Sequence, residues 1–107
     1  MALRITVREQ ESVTEITLEG RLAGPWVTEL SRAWSEAAPR LGTRKVSIDL
    51  RDVTYSDEAG KQVLRDIFAQ TNADLVTSSP LTKYLAQEIS NSEKHGTKAE
   101  ADNGIDA

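Results

Sequence analysis

Asp49, Asp52, Asp57 and Glu58 place four carboxylates within the span 49–58, with the hydroxyls of Thr54 and Ser56 among them. Acids this close could hold Mg²⁺ and handle a hydroxyl or phosphate group, because hard cations take oxygen ligands and polarise phosphoryl oxygens. A Mg²⁺-dependent hydrolase using Asp49, Asp52 and Asp57 is therefore one reading of the segment. No second acidic strand end, glycine-rich phosphate loop or matching later lysine accompanies them. An Asp that closes a strand more often serves a turn or a cap. Nucleophilic catalysis has less support, since the chain has no Cys and its one His, His95, lies in a polar C-terminal stretch. No metal or other cofactor is expected.

The elements that would position these residues follow from periodicity. Val46, Ile48 and Leu50 alternate with Ser47 and Asp49, the pattern of a half-buried strand over 45–50. Residues 52–56 are read as a turn leaving that strand. From Asp57 the apolar positions become Val63, Leu64, Ile67 and Phe68, one face of a helix over 57–69. A helix N-terminus therefore falls at Ser56-Asp57-Glu58-Ala59-Gly60, with Ser56 as an alternative N-cap. Such termini carry unpaired N–H groups and partial positive charge. This one supplies its own negative charge.

The rest of the chain frames that junction. Residues 3–9 and 13–19 alternate and are separated by Gln10-Glu11-Ser12, which predicts an antiparallel hairpin. Gly24-Pro25 opens a helix over 25–38, whose stripe is Trp26, Leu30, Ala33, Trp34 and Ala37. The two Trp read as core, with Trp26 at the helix start also placed to anchor a partner. Residues 73–77 form a short apolar strand. Ser78-Ser79-Pro80 starts a last helix over 80–90 with the stripe Leu81, Tyr84, Leu85 and Ile89. The order β-β-α-β-α-β-α implies an α/β fold: a mixed four-stranded sheet with helices mainly on one face. The domain covers 1–91, and the polar stretch 92–107 is expected to be a disordered C-terminal tail.

Composition bounds the function. A chain of 107 residues suits one domain, and aromatic content of 5% requires a mainly aliphatic core. Net charge is −4 with Lys and Arg scattered, which argues against nucleic-acid binding. The charged start MALRITVREQ lacks the apolar core of a secretory signal, and no run is long enough to enter a membrane. A cytoplasmic location is expected.

These residues resemble the STAS domain family, the fold of bacterial anti-sigma factor antagonists and of cytoplasmic modules on sulfate transporters. The resemblance covers about 3–90. It rests on Leu18-Glu19-Gly20-Arg21-Leu22 before the first helix, and on Asp49-Leu50-Arg51-Asp52-Val53-Thr54-Tyr55-Ser56-Asp57-Glu58-Ala59-Gly60. In that family a strand ends in Asp-Leu, and Asp-Ser-Ser/Ala-Gly then opens a helix. The first Ser after the Asp accepts phosphate from a partner kinase that is itself the anti-sigma factor. Here Asp57 and Gly60 keep the pattern, while Glu58 stands at the acceptor position and Ala59 follows it.

The resemblance implies a non-enzymatic module of transcription regulation and signal transduction, acting through protein–protein contact. The expected partner is an anti-sigma factor or a related ATPase-like regulator. The contact surface would comprise Asp52, Thr54, Ser56, Asp57, Glu58, Ala59 and Gly60, with Lys61, Gln62 and Arg65 on the helix face beyond. It would not be switched by phosphorylation at 58, and Ser56 is a weak candidate for a displaced acceptor. A small STAS subunit bound to the ATPase of an ABC-type lipid transporter is the alternative. Nucleotide binding and a homodimer stay open.

Overall fold

The computed structural model describes residues 2–98, and within them the side chains of 2–90. The expected hairpin is present: β1 (Leu3–Glu9) pairs antiparallel with β2 (Val13–Leu22), from Leu3 opposite Gly20 to Glu9 opposite Thr14. Gln10 N donates to Val13 O at 2.9 Å and closes the turn. Helix α1 (Pro25–Ala37) and one 3-10 turn (Ala38–Arg40) carry the chain to β3 (Lys45–Ser56), which pairs parallel with β2. Helix α2 (Glu58–Thr71) leads to β4 (Asp74–Val76), parallel to β3. Helix α3 (Pro80–Lys98) is last. The sheet order is β1-β2-β3-β4, so each new strand adds to the same side.

Alternation decides which face is wet. Thr14, Ile16 and Leu18 of β2 and Val46, Ile48 and Leu50 of β3 are buried under the helices. They meet Leu30 and Trp34 of α1, Leu64 and Ile67 of α2, and Leu85 and Ile89 of α3 in one aliphatic core. The odd-numbered residues between them face solvent, where Arg4–Glu19 and Arg8–Glu15 approach at 3.9 and 3.8 Å. Exposed pairs at such distances add little stability. Trp26 packs half-buried against the core at the helix start.

Gly20 of the Leu-Glu-Gly-Arg-Leu motif has a reason to be glycine. Its φ is +111°, and a Cβ there would lie 2.5 Å from the carbonyl oxygen of Ala2. Any side chain would force the hairpin open at its end.

Four expectations differ from the structure. Residues 52–56 are strand, not turn, because β3 keeps its pairing with β2 through two register shifts: Thr17–Asp49 is followed by Glu19–Asp52, and Gly20–Val53 by Arg21–Tyr55. Each shift inserts one residue on β3, a β-bulge that breaks alternation without ending the strand. The N-cap of α2 is Asp57, not the alternative Ser56. In α3 the buried stripe is Thr82, Leu85 and Ile89, while Leu81 and Tyr84 are 54% and 58% exposed. Thr82 Oγ1 accepts from the backbone N–H groups of Ser78 and Ser79 at 3.0 Å, and Ser79 Oγ accepts from Thr82 N at 3.2 Å. That reciprocal cap turns Thr82 inward and sets the phase of the helix. Finally, α3 continues past 90 to Lys98. The remainder of the expected tail, 99–107, lies outside the described residues.

Candidate functional site

The end of β3 delivers Ser56, one extended residue follows, and α2 begins at Glu58. Asp57 holds this junction together. Its Oδ1 accepts from Gly60 N at 2.8 Å, the ordinary bond of an Asp N-cap, and its Oδ2 accepts from Gly24 N at 3.2 Å. The backbone N–H of Asp57 donates to Leu22 O at 3.1 Å. One side chain thus joins the entry of α1 to the entry of α2. Both oxygens being engaged, Asp57 is an organiser of the site.

Ser56 is half-buried, and its hydroxyl donates to Asp57 O at 3.1 Å. A Cβ on Gly60 would meet that hydroxyl at 2.7 Å and Leu22 Cγ at 2.8 Å. Gly60 is therefore where α2 passes closest to β2 and β3. Asp52, Thr54 and Ala59 are exposed beside it.

Glu58 is the first residue of α2, and its side chain is 77% exposed. Its carboxylate leans onto cations of its own helix: Arg65 Nη2 lies 3.2 Å from Oε2, and Lys61 Nζ lies 3.9 Å from Oε1. Lys61 is held more closely by Glu88 of α3, at 2.6 Å. Contact with the Glu88 carboxylate raises the Lys61 pKa. The Glu88 carboxyl is lowered in turn, first by Lys61 and then by Tyr84, whose own hydroxyl is raised by the same carboxylate. Lys61 and Arg65 are consequently mostly covered, not free on an exposed face, whereas Gln62 is exposed and donates to Asp66 Oδ1 at 3.1 Å.

The carboxylates read above as a Mg²⁺ set do not converge. Asp49 lies on the solvent face of the sheet, where Arg51 Nε and Nη2 donate to it at 3.0 and 2.9 Å. Those bonds hold its carboxyl below the usual carboxylate range. Asp57 sits at the helix end with both oxygens used. Among the described residues, no group of three or more His, Cys, Asp or Glu side chains could hold a metal ion.

Sequence reasoning overlooked one part of the site. A cleft of about 200 Å³ opens between the end of β3 and the first turns of α3, walled by Val53, Tyr55, Leu81, Tyr84 and Leu85, with Lys61 and Glu88 also lining it. Arg21, opposite Tyr55 in the strand pairing, places its guanidinium 4.3 Å from the centre of the Tyr55 ring. The available signal was the Ser-x-x-Thr spacing at 79–82, which fixes the phase of α3 and so turns Leu81 and Tyr84 outward.

Compared by sequence, no family model and no curated protein matches the chain. Compared by structure, it is similar to an anti-sigma factor antagonist from Mycobacterium paratuberculosis, with a TM-score of 0.72 at 15% identity, over 88% of this chain and 82% of that one. The anti-sigma factor antagonist SpoIIAA in its unphosphorylated form gives 0.64 at 14% identity, over 79% and 83%. The STAS domain of an antisigma-factor antagonist from Rhodobacter sphaeroides gives 0.52 at 20% identity, over 70% and 84%. The fold is that of a STAS domain: a four-stranded mixed sheet with three helices. No helix among the described residues is long and apolar enough to cross a membrane.

Proposed function

We propose that this chain is a non-enzymatic, cytoplasmic STAS module that regulates an anti-sigma factor, or a related ATPase-like partner, by binding it. Its contact surface comprises the end of β3, the Asp57–Gly60 junction and the first turns of α2, with Gln62 exposed and Lys61 and Arg65 behind it. The observation that carries the reading is Glu58. It is the first residue of α2, its side chain is 77% exposed, and it stands where the STAS resemblance puts the phosphoacceptor. A phosphoserine there would carry about −1.5 to −2 charges, and Glu58 supplies a fixed −1. Arg65 and Lys61 already partner that charge within the chain. The module is therefore held in one state at this position, and its partner is one suited to the carboxylate.

The test uses the full chain with an anti-sigma kinase of the source organism and ATP. Mass spectrometry should find no phosphate on residues 52–60; phosphate on Ser56 or Thr54 would defeat the claim. Calorimetry should then show Glu58→Ser weakening the complex by about 1–3 kcal/mol, the range for a bond to a charged group. Tighter binding would instead make Glu58 a mimic of the modified state. Unchanged binding would reduce it to support for its own helix.

A further inference from the structure

We propose that the cleft between the end of β3 and α3 is a docking site for an extended, apolar segment of a partner protein carrying an acidic residue. The segment pairs with the free edge of β3 and places an apolar side chain between Tyr55, Leu81 and Tyr84. This rests on the reading of the chain as a partner-binding module and adds the chemistry of what is bound.

The first ground is burial. Among the described residues the large hydrophobic side chains left exposed are Tyr55, Leu81 and Tyr84, at 44%, 54% and 58%, and all three line this one cleft. Single exposed apolar residues need no explanation, but a cluster around a concavity marks an interaction site. Their outward direction is built in, because the Ser79–Thr82 cap commits Thr82 to the core.

The second ground is the strand edge. β4 pairs only with Ser47, Ile48 and Asp49. β3 continues to Ser56, and over 53–56 its pairing among the described residues is with β2 alone. One side of that backbone, along the cleft, is left without a strand. Unpaired strand edges accept extended segments, the backbone giving affinity and alternate side chains giving specificity.

The third ground is charge. Of the ionic groups lining the cleft, Lys61 and Glu88 neutralise each other at 2.6 Å. Arg21 lies over Tyr55 and makes no ion pair among the described residues, so one positive charge stands beside the cleft on a chain of net charge −4. An acidic residue on the incoming segment complements it. The cleft also continues the proposed contact surface, since Thr54, Ser56 and Lys61 belong to both.

The probe is a phage-displayed random peptide library selected on the full chain. Recovered peptides should alternate apolar residues and carry Asp or Glu. Bound to ¹⁵N-labelled protein, they should perturb the amides of 53–56, Leu81 and Tyr84 and protect amides of 53–56 from exchange. Tyr84→Ser and, separately, Arg21→Glu should each weaken binding about tenfold or more, as loss of a central anchor does. Both residues are exposed, so both variants should stay folded and melt cooperatively close to wild type, which separates lost docking from lost fold. The proposal is overturned if no peptide is enriched, if enriched peptides perturb a different surface, or if they ignore both substitutions. A dimer that disappears in Tyr84→Ser would assign the edge to a second copy and overturn it as well. If the cleft fails while an anti-sigma partner still responds to Glu58→Ser, the docking inference alone falls.

Discussion

Asp57 and Glu58 are adjacent acids with opposite duties. Asp57 has both oxygens on backbone amides, Gly60 N at 2.8 Å and Gly24 N at 3.2 Å, and so anchors two helix entries. Asp57→Ala should cost about 1–2 kcal/mol, the upper range for a lost N-cap. For a domain of this size each kcal/mol lowers the melting temperature by about 4–8 °C. Asp57→Asn keeps an acceptor for Gly60 N and should lose clearly less, which calorimetric melting of the two variants will compare. Glu58 makes no backbone bond through its side chain, so Glu58→Ser should shift stability by only about 0.3–1 kcal/mol, the worth of a charge at a helix terminus. An acid at this junction was legible in the sequence as a residue type. Which acid builds and which is presented was not, since that depends on Gly24 lying across the junction, 33 positions away in the chain.

At the scale of elements, order and pairing were readable because alternation and helical period are strong in β1, β2, α1 and α2. Two of the departures have clear physical reasons at this scale. Two bulges on β3 put Arg51 and Asp52, then Thr54 and Tyr55, on the exposed side in succession, and a period-two pattern takes such a run for a turn. In α3, hydropathy favours Leu81 and Tyr84 as the inner stripe, but the cap formed by Thr82 outweighs it. Thr82→Val keeps the shape and removes the hydroxyl; it should destabilise by about 1 kcal/mol, while the remaining bond from the residue-82 N–H to Ser79 Oγ and the buried apolar side chain keep Leu81 and Tyr84 outward. Gly60→Ala tests the closest approach between elements. Its methyl would meet Ser56 Oγ at 2.7 Å and Leu22 Cγ at 2.8 Å, so overpacking should cost about 1–3 kcal/mol in a denaturant titration. A neutral result would show that Leu22 and Ser56 move aside freely.

At the scale of the molecule, ion pairs tie elements that the sheet does not connect. Lys61–Glu88 joins α2 to α3, and Arg40 donates to Glu9 at 3.0 Å, joining the 3-10 turn after α1 to the end of β1. The Glu9 carboxyl is lowered, chiefly by Arg40, and Glu88 chiefly by Lys61, both from the ordinary value of 4.5. A carboxylate with a lowered pKa in the folded state stabilises the fold above its unfolded value, and that stability is lost as pH falls through the lowered one. Lys61 has the opposite sign. Its raised pKa contributes below the ordinary 10.5 and is lost as pH climbs through the raised value. The melting temperature should therefore hold near neutral pH and fall from about pH 5 downward. Glu88→Gln removes one of the lowered carboxylates and should make that acid fall shallower, while starting from a lower melting temperature at neutral pH because Lys61 loses its closest partner. High salt should shrink the difference between wild type and Glu88→Gln, since both groups lie near the surface and are screened. An acid profile of Glu88→Gln as steep as that of wild type would mean that the link between α2 and α3 is carried by the apolar contacts of Leu64, Leu85 and Ile89 alone.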